Sequence, residues 1–408
     1  MLLCLCITFA VPSANLGVVW AASRDAAKSA AQETKAEAAA LPQTDEEVQR
    51  AENSTSPAAL LPETETMEPE MTVLPAEESI PALGDTVTSG KCGDNLTWEI
   101  DTATGTLTIS GEGAMYDYTC TSTYVNYNLV YTTDAPWFST QSTLHTLVLN
   151  KGITRIGSNA FRECTGFEGI LTIPDSVAEI GTSAFQGCKG FTGTLLIPDS
   201  VTALGNSSFN GCSGFTGALA LPASINELEA NVFCSCSGLT GELIIPAHYT
   251  SIGDEAFRGC SGLTKLTIEN GVETIGNFAF LGCQGFTGNL LIPDSVSSIG
   301  RSAFYDCSGF SGSLRIPEGI KAIADAAFYG CSGLNGKLVI PDGVTSIEGY
   351  AFYNCTGLTG SLIIPDSVTK IGDCAFTNCP GFSGDLVVPI GVTSIGNSAF
   401  KDCSGFNG

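Results

Sequence analysis

Histidine is nearly absent from this chain, whose 408 residues include only His145 and His248. Neither one has a sequence context that suggests an activated side chain, although most serine and cysteine nucleophiles rely on a neighbouring base. The cysteines form no C-x-x-C pair, so the usual spacing of zinc ligands is missing too. We therefore predict a protein that is not an enzyme and that holds no metal ion or other cofactor.

Basic residues are also scarce. The chain has 17 Lys and Arg residues against 42 Asp and Glu residues, which gives a formal net charge of −25. Nucleic acids and anionic lipids attract proteins mainly through Lys and Arg, which displace their counterions. The charge balance thus argues against a nucleic acid or a membrane surface as the partner.

Long apolar stretches are missing after the first residues, 1–22. This segment is interrupted by polar and helix-breaking residues and ends in Val19-Trp20-Ala21-Ala22, where small residues offer cleavage sites. It predicts a signal peptide, and hence a secreted or cell-surface protein. The usual Lys/Arg-rich start is absent, so a start further upstream and an uncleaved membrane anchor are the alternatives.

Aromatic side chains are missing from residues 23–90, which are rich in Ala, Glu, Thr and Pro. Between Arg24 and Gly90 there are 14 acidic and 4 basic residues. Such a segment cannot bury enough apolar surface to offset the entropy lost on ordering. We expect an acidic, disordered linker over 23–90.

A strict repeat fills residues 141–408. Cysteine recurs at intervals of 24 residues, with a single interval of 23, and phenylalanine follows the same period. The cysteines are at positions 164, 188, 212, 236, 260, 283, 307, 331, 355, 379 and 403. This period predicts a solenoid of about eleven stacked coils.

One unit, residues 190–212, illustrates the expected coil. Leu195 and Ile197 form a short strand whose side chains both point inward, and Pro198 ends the strand because it lacks an N–H. Asp199 supplies a turn, with a side chain able to bond nearby backbone N–H groups. A single coil cannot bury enough apolar area to offset its ordering entropy, so neighbouring coils must stack. The fold class is therefore a mainly β solenoid.

The segment before the repeats has a different pattern of apolar and polar residues. Leu96, Trp98 and Ile100 alternate with polar residues, a turn follows, and Leu107 and Ile109 alternate again. This pattern predicts a β-hairpin. We expect residues 91–140 to form a small N-terminal β cap, since the first coil would otherwise expose its apolar face.

The repeat resembles the leucine-rich repeat superfamily, most clearly in Leu263-x-x-Leu266-x-Ile268. The wider pattern I-P-x-x-V-x-x-I-G-x-x-A-F-x-x-C is similar to that of the BspA-like, or Treponema-type, subfamily over residues 91–408. The resemblance implies a right-handed superhelix. It also implies a surface protein, because members are commonly bacterial or protozoan surface proteins implicated in adhesion to host proteins or other cells.

Two repeated residue types are interpreted as structural. The eleven periodic cysteines would point in parallel and are odd in number, so we expect small buried residues at a coil corner rather than disulfides. Cys92 and Cys120 could pair within the cap, and Cys234 and Cys374 are candidates for exposed thiols. Acidic residues that recur at one coil position predict turns, with stacked calcium ligands as the alternative: Asp175, Asp199, Asp294, Glu318, Asp342 and Asp366.

Two surfaces vary between coils and are the candidate binding sites. The first is the outward residue of the predicted strand, which is mostly aliphatic and includes Leu196, Ile244, Leu291, Arg315, Val339 and Ile363. Plain β propensity would explain these residues equally well. The second is the run of Tyr305, Tyr329 and Tyr353, for which stacking between coils without a ligand is the alternative.

The functional expectation is a secreted or cell-surface recognition protein that binds an extracellular protein through its solenoid. A passive stalk that presents another domain is the second interpretation, and an enzyme is a remote third. The repeats stop at Gly408 without a capping coil. We therefore expect the sequence to be a fragment of a longer chain or to depend on further coils.

Overall fold

The structure is a computed structural model that describes residues 88–125 and 127–407. The predicted signal peptide, 1–22, and the predicted linker up to residue 87 lie outside the described residues. The described part is a β-solenoid of about ten turns, preceded by a small β region. Its helical content is a short 3₁₀ helix, Phe138–Thr143.

Six strands precede the solenoid. Strands β1 (Ser89–Lys91), β2 (Leu96–Asp101) and β3 (Thr106–Gly111) form an antiparallel sheet that contains the predicted hairpin. Strand β4 covers Gly113–Ala114. A second antiparallel hairpin, which the sequence did not predict, joins β5 (Cys120–Val125) to β6 (Asn128–Thr133). Strand β1 begins at Ser89, just before the expected cap boundary at residue 91.

The small β region continues directly into the solenoid. Strand β3 pairs in parallel with β7 (Thr146–Leu149), and β4 pairs in parallel with β8 (Ile153–Ile156). The buried Trp137 ring stacks on Phe161 with 5.6 Å between centroids, and its Nε1 donates to the Ala160 carbonyl oxygen at 2.7 Å. The region therefore covers the apolar face of the first coil, as a solenoid requires.

The predicted leucine-x-isoleucine strands form a first ladder along the solenoid. It is interrupted, because in most coils the proline after the strand cannot donate and a glycine corner precedes the strand. Parallel pairs join β12 to β14, β16 to β18 and β20 to β22, and isolated bridges join several other coils. Their bounds are β12 Gly241–Ile245, β14 Leu263–Ile268, β16 Leu290–Leu291, β18 Leu314–Arg315, β20 Gly336–Val339 and β22 Leu358–Ile363.

A second ladder is more continuous and was not predicted. It follows the turn in each coil, where a polar residue or alanine precedes an Ile or Leu that is buried in every coil but the last, and it pairs in parallel between neighbouring coils. After β8 its strands are β9 Glu179–Ile180, β10 Ala203–Leu204, β11 Glu227–Leu228, β13 Ser251–Ile252, β15 Thr274–Ile275, β17 Ser298–Ile299, β19 Ala322–Ile323, β21 Ser346–Ile347, β23 Lys370–Ile371 and β24 Ser394–Ile395.

The core is built from repeated columns. The periodic phenylalanines stack nearly parallel, with centroids 5.3 Å apart for Phe161–Phe185 and 5.9 Å apart for Phe209–Phe233. The glycine that follows each coil corner allows the coils to approach closely. A Cβ on Gly214, for example, would clash with carbonyl oxygens of the preceding coil. Buried aromatic columns of this kind supply much of the apolar area that stabilises the stack.

Two residues in each coil adopt a left-handed backbone, two positions before and two positions after the periodic phenylalanine. Around Phe304 these are Ser302 (φ 52°) and Asp306 (φ 54°), whose N–H groups donate to the next coil at 2.9 and 2.7 Å. Ser, Asn and Gly fill most of these positions, as the left-handed conformation favours. Phe278 (φ 57°) and Tyr350 (φ 56°) are aromatic exceptions and carry backbone strain.

Candidate binding surfaces of the solenoid

Six outward residues of the first ladder are large, aliphatic and exposed, and together we call them the apolar ribbon; Ala220, Thr267 and Arg315 occupy the outward positions between them. Its members are between 44% exposed, for Ile244, and 67% exposed, for Val387. Few soluble proteins expose a row of this length without a use for it. The apolar ribbon consists of Leu196, Ile244, Leu291, Val339, Ile363 and Val387.

Arg315 occupies an apolar-ribbon position between Leu291 and Val339, but its charge is compensated. Its Nη2 donates to Asp294 Oδ2 at 2.6 Å, and its Nη1 donates to the Ile292 carbonyl oxygen at 3.0 Å. The guanidinium thus lies back against the preceding coil. It interrupts the ribbon without adding an unpaired cation to it.

Two exposed isoleucines were missed by the sequence reasoning. Ile170 is 69% exposed two positions before the outward residue Thr172, and Ile390 is fully exposed where other coils carry the turn acid. The signal was available in both cases, because each isoleucine departs from a polar coil position. They extend the apolar surface at both ends of the first ladder.

The recurring acids do not cap their own turns. The turn closes through the backbone, as in Val201 N donating to the Pro198 carbonyl oxygen at 3.0 Å. Asp199 Oδ1 accepts from Ala223 N of the next coil at 3.3 Å. Within residues 127–407, the exposed carboxylates of Asp175 and Asp342 accept no hydrogen bond and form no ion pair.

The serine after the turn acid makes a different contact, to the preceding coil. Ser295 Oγ donates to the Val272 carbonyl oxygen of the preceding coil at 2.7 Å, and Ser200 Oγ donates to Val177 in the same way at 2.8 Å. The acids lie on the predicted turns, but in most coils their side chains do not cap them. They form instead a solvated acidic row that follows the first ladder along the chain.

The three tyrosines lie together as a stacked column, which we call the tyrosine ladder. The rings of Tyr305 and Tyr329 have centroids 4.3 Å apart, and those of Tyr329 and Tyr353 are 4.7 Å apart, with interplanar angles of 3° and 7°. All three side chains are half-buried, not freely exposed. Burial raises the pKa of Tyr305 and of Tyr329 above the usual value for tyrosine.

The predicted stacking of the tyrosines between coils is thus present. The ring faces cover one another, so the column offers a ligand only ring edges and hydroxyl groups. Tyr350, which is strained, packs at a tilt against Tyr329 and Tyr353 with centroids 6.5 and 5.8 Å away. The ladder therefore fulfils a packing role whether or not it also binds a partner.

The periodic cysteines are buried free thiols. Each Sγ from Cys188 onward donates to the carbonyl oxygen of the phenylalanine in the preceding coil, at 2.9–3.1 Å. Burial raises their pKa well above the usual value. Their structural interpretation is thereby supported, with a hydrogen bond that the sequence did not predict.

The remaining described cysteines are free as well. Cys92 is buried, which raises its pKa to about 12, and Cys120 is partly exposed and not bonded to it. Cys234 was expected to be an exposed thiol but is only 6% exposed, with its Sγ 3.6 Å from Ser235 Oγ. Cys374 is partly exposed, in line with expectation.

The two histidines are exposed and far from each other in the stack. His248 lies against Tyr249, with ring centroids 4.7 Å apart. Across residues 88–125 and 127–407, no group of three or more His, Cys, Asp or Glu side chains is placed to hold a metal ion. The same residues contain no helix with the length and hydrophobicity that a bilayer-spanning segment needs.

The comparison with known proteins agrees with this architecture. The family described as "BspA type Leucine rich repeat region (6 copies)" matches residues 99–192, 131–262, 191–310, 227–359 and 286–407. These overlapping matches cover most of the chain. The protein therefore belongs to the BspA-type leucine-rich repeat family. Among curated proteins none matches this chain.

Several solved structures are similar. A leucine-rich repeat protein from Bacteroides ovatus is 24% identical, covers 76% of this chain and 91% of its own, and gives a TM-score of 0.53. One from Eubacterium ventriosum is 22% identical, with coverages of 78% and 95% and a TM-score of 0.48. A leucine rich cell surface protein from Faecalibacterium prausnitzii is 24% identical, with coverages of 77% and 96% and a TM-score of 0.39. The Bacteroides ovatus structure supports the leucine-rich repeat fold.

Proposed function

We propose that this chain is a secreted or cell-surface recognition protein that binds an extracellular protein through the apolar ribbon. Membership of the BspA-type family suggests a surface or extracellular location and a role in protein interaction. The observation that carries the proposal is the exposure of six aliphatic side chains along one ladder, from Leu196 to Val387. Exposed apolar surface on this scale is typical of interaction sites.

The surroundings of the apolar ribbon support a protein partner. Protein interfaces combine an apolar centre with a polar rim, and the solvated acidic row supplies such a rim here. Asp294, Glu318, Asp342 and Asp366 fall in four consecutive coils beside Leu291, Val339 and Ile363. A partner surface with an apolar stripe flanked by Lys or Arg would complement this arrangement.

The test is a set of serine substitutions on each ladder. One variant carries Leu291→Ser, Val339→Ser and Ile363→Ser. The matched control carries Ala203→Ser, Thr274→Ser and Ala322→Ser, which are exposed positions of the second ladder. Both variants are applied with the unmodified chain to an array of purified extracellular matrix and plasma proteins, after circular dichroism has shown equal folding.

We expect the unmodified chain and the control to bind at least one arrayed protein, and the ribbon variant to lose that binding by at least about tenfold. Loss is expected because the three substitutions remove the apolar centre of the interface. Equal binding by the ribbon variant, or no binding of the unmodified chain to any arrayed protein, would refute the proposal.

A further inference from the structure

The coil between Cys260 and Cys283 is one residue shorter than the others. In the neighbouring coils a left-handed glycine forms the corner before the first-ladder strand, as in Gly241 (φ 81°) and Gly288 (φ 77°). The short coil lacks this glycine, so Thr264 is followed directly by Lys265. The repeat is therefore broken at one place in the middle of the solenoid.

The missing corner changes the local surface. Strand β14 covers six residues without a glycine, and its pairing with β12 shifts register between Gly241 and Glu242. A recess of about 470 Å³ opens on this face beside the corner of the following coil. It is lined by Lys265, Leu266, Thr267, Ile268, Thr287, Gly288, Asn289 and Leu291.

The recess lies within the apolar ribbon. Thr267 pairs directly with Ile244 in the ladder, and Leu291 is itself a lining residue. A hypothetical Cβ on Gly288 would have no atom within 4 Å, as at the corners Gly336 and Gly360 of ordinary coils, so the corner itself does not fill the recess. The recess therefore separates the exposed side chains of Ile244 and Leu291.

The charges at its edge are already compensated. Lys265 Nζ lies 2.7 Å from Glu242 Oε1, and Thr267 Oγ1 donates to the same oxygen at 2.6 Å. The hydrogen bonds from Lys265 and Thr267 lower the pKa of Glu242. A charged side chain that entered would have to break this pair or lose its own hydration. An uncharged apolar side chain would neither break the ion pair nor lose the hydration of a charged group.

Periodicity gives the recess a further consequence. Adjacent coils repeat at about 4.8 Å, so a partner that rests on a uniform ribbon could shift by one coil with little change in energy. The recess removes this degeneracy, because only one register places a given partner side chain inside it.

We infer that this recess receives one uncharged apolar side chain, aromatic or aliphatic, of the bound protein partner and thereby sets the register of that partner on the apolar ribbon. The inference rests on the proposed function for the identity of the partner. The capacity of the recess for an apolar side chain can be tested without any partner.

The probes are N-acetylphenylalaninamide and N-acetyllysinamide, titrated into the isotope-labelled full chain while backbone amide resonances are followed. Two variants close the recess. Insertion of glycine between Thr264 and Lys265 restores the common coil length, and Thr267→Trp fills the space. The matched control is Ala220→Trp, at the equivalent outward position of a coil of ordinary length.

We expect N-acetylphenylalaninamide to shift the amides of Thr267, Gly288 and Asn289 saturably, and N-acetyllysinamide to shift them at least about tenfold less at equal concentration. The insertion and Thr267→Trp should each weaken binding of N-acetylphenylalaninamide by at least about tenfold. The Ala220→Trp variant should bind this probe as tightly as the unmodified chain does. Absence of shifts, equal response to both probes, or unchanged binding by both closed variants would overturn the inference.

Failure of this inference and failure of the proposed function give different results. If the ribbon substitutions abolish partner binding but the aromatic probe shifts no recess amide, only the recess assignment is overturned. If the probe binds in the recess but the unmodified chain binds no extracellular protein, the proposed function is overturned, and with it the role of the recess in partner register.

Discussion

Cys307 Sγ lies 3.1 Å from the carbonyl oxygen of Phe280 and donates its hydrogen to it. The same contact joins each periodic cysteine from Cys188 onward to the phenylalanine of the preceding coil. It links two coils through a side chain that is fully buried on both sides. Neighbouring coils are the main source of stability in a solenoid, so this contact should be visible in unfolding experiments.

The first prediction concerns that contact. Cys307→Ala should lower the free energy of unfolding by about 1–3 kcal/mol, because it leaves a small cavity and removes the buried hydrogen bond. Cys374→Ala, at a partly exposed cysteine, is the control and should lower the free energy of unfolding by less than about 0.5 kcal/mol. Urea denaturation followed by circular dichroism measures both. Equal effects of the two substitutions would contradict a structural role for the periodic cysteines.

A second prediction concerns thiol reactivity in the folded protein. The thiolate is the reactive form, and burial raises the pKa of the periodic cysteines, so few thiolates form at pH 8. Iodoacetamide at that pH should label Cys120 and Cys374 first among the described cysteines, and the periodic ones only after unfolding. Peptide mass mapping at several times gives the rates. Labelling of Cys307 in folded protein as fast as Cys374 would refute this expectation.

A third prediction concerns pH dependence at Asp306. Burial raises the pKa of this carboxyl, so its charged form is disfavoured in the folded state. The stability it contributes is present below the ordinary pKa of about 4 and is lost as the pH rises through the folded value. Asp306→Asn should therefore raise Tm at pH 7 and have little effect at pH 3.

The backbone at Asp306 suits this substitution. Its φ of 54° is left-handed, and Asn354 and Asn378 occupy the same coil position with φ of 59° and 57°. Asp402→Asn is the matched control, because Asp402 has the same backbone geometry but an exposed side chain. Thermal melts at both pH values should show a smaller change for Asp402→Asn. An Asp306→Asn variant less stable than the parent at pH 7 would contradict the prediction.

The fourth prediction separates the tyrosine ladder from the apolar ribbon. Tyr305→Ser, Tyr329→Ser and Tyr353→Ser together should lower the thermal midpoint, because half-buried stacked rings are removed. Binding to a partner identified on the extracellular protein array should be unchanged at a temperature where this variant is folded. Phenylalanine at the same three positions is the control and should restore the midpoint. Loss of binding in the folded serine variant would show that the tyrosine ladder, and not the apolar ribbon alone, forms the binding site.

Much of the architecture could be predicted from the sequence. The period of 24 residues, the inward Leu195 and Ile197, and the alternation at Trp98 are local patterns, and local patterns determine which side chains must be buried. The hairpin of β5 and β6 escaped prediction, because its polar and aromatic residues show no clear alternation. The second ladder escaped because two-residue strands leave almost no periodic signal.

The candidate surfaces, too, could be predicted only in part from the sequence. The sequence identified the outward positions of Leu291, Val339 and Ile363, since a strand of known phase leaves no other face for them. It did not show that Arg315 folds onto Asp294, or that Ser295 rather than the turn acid bonds the preceding coil. These contacts join residues of different coils, and their partners depend on how the coils stack.

The sequence by itself determined that this chain must stack, because one coil of its repeat cannot bury enough apolar area to fold alone. It also determined which residues face outward. Only the tertiary structure decided which outward groups remain available. In contacts between coils, Arg315 forms an ion pair, the ring of Tyr329 stacks on a neighbouring ring and the thiol of Cys307 donates a hydrogen bond. Stacking leaves the apolar ribbon exposed and opens a recess where the coil at Lys265 is one residue short.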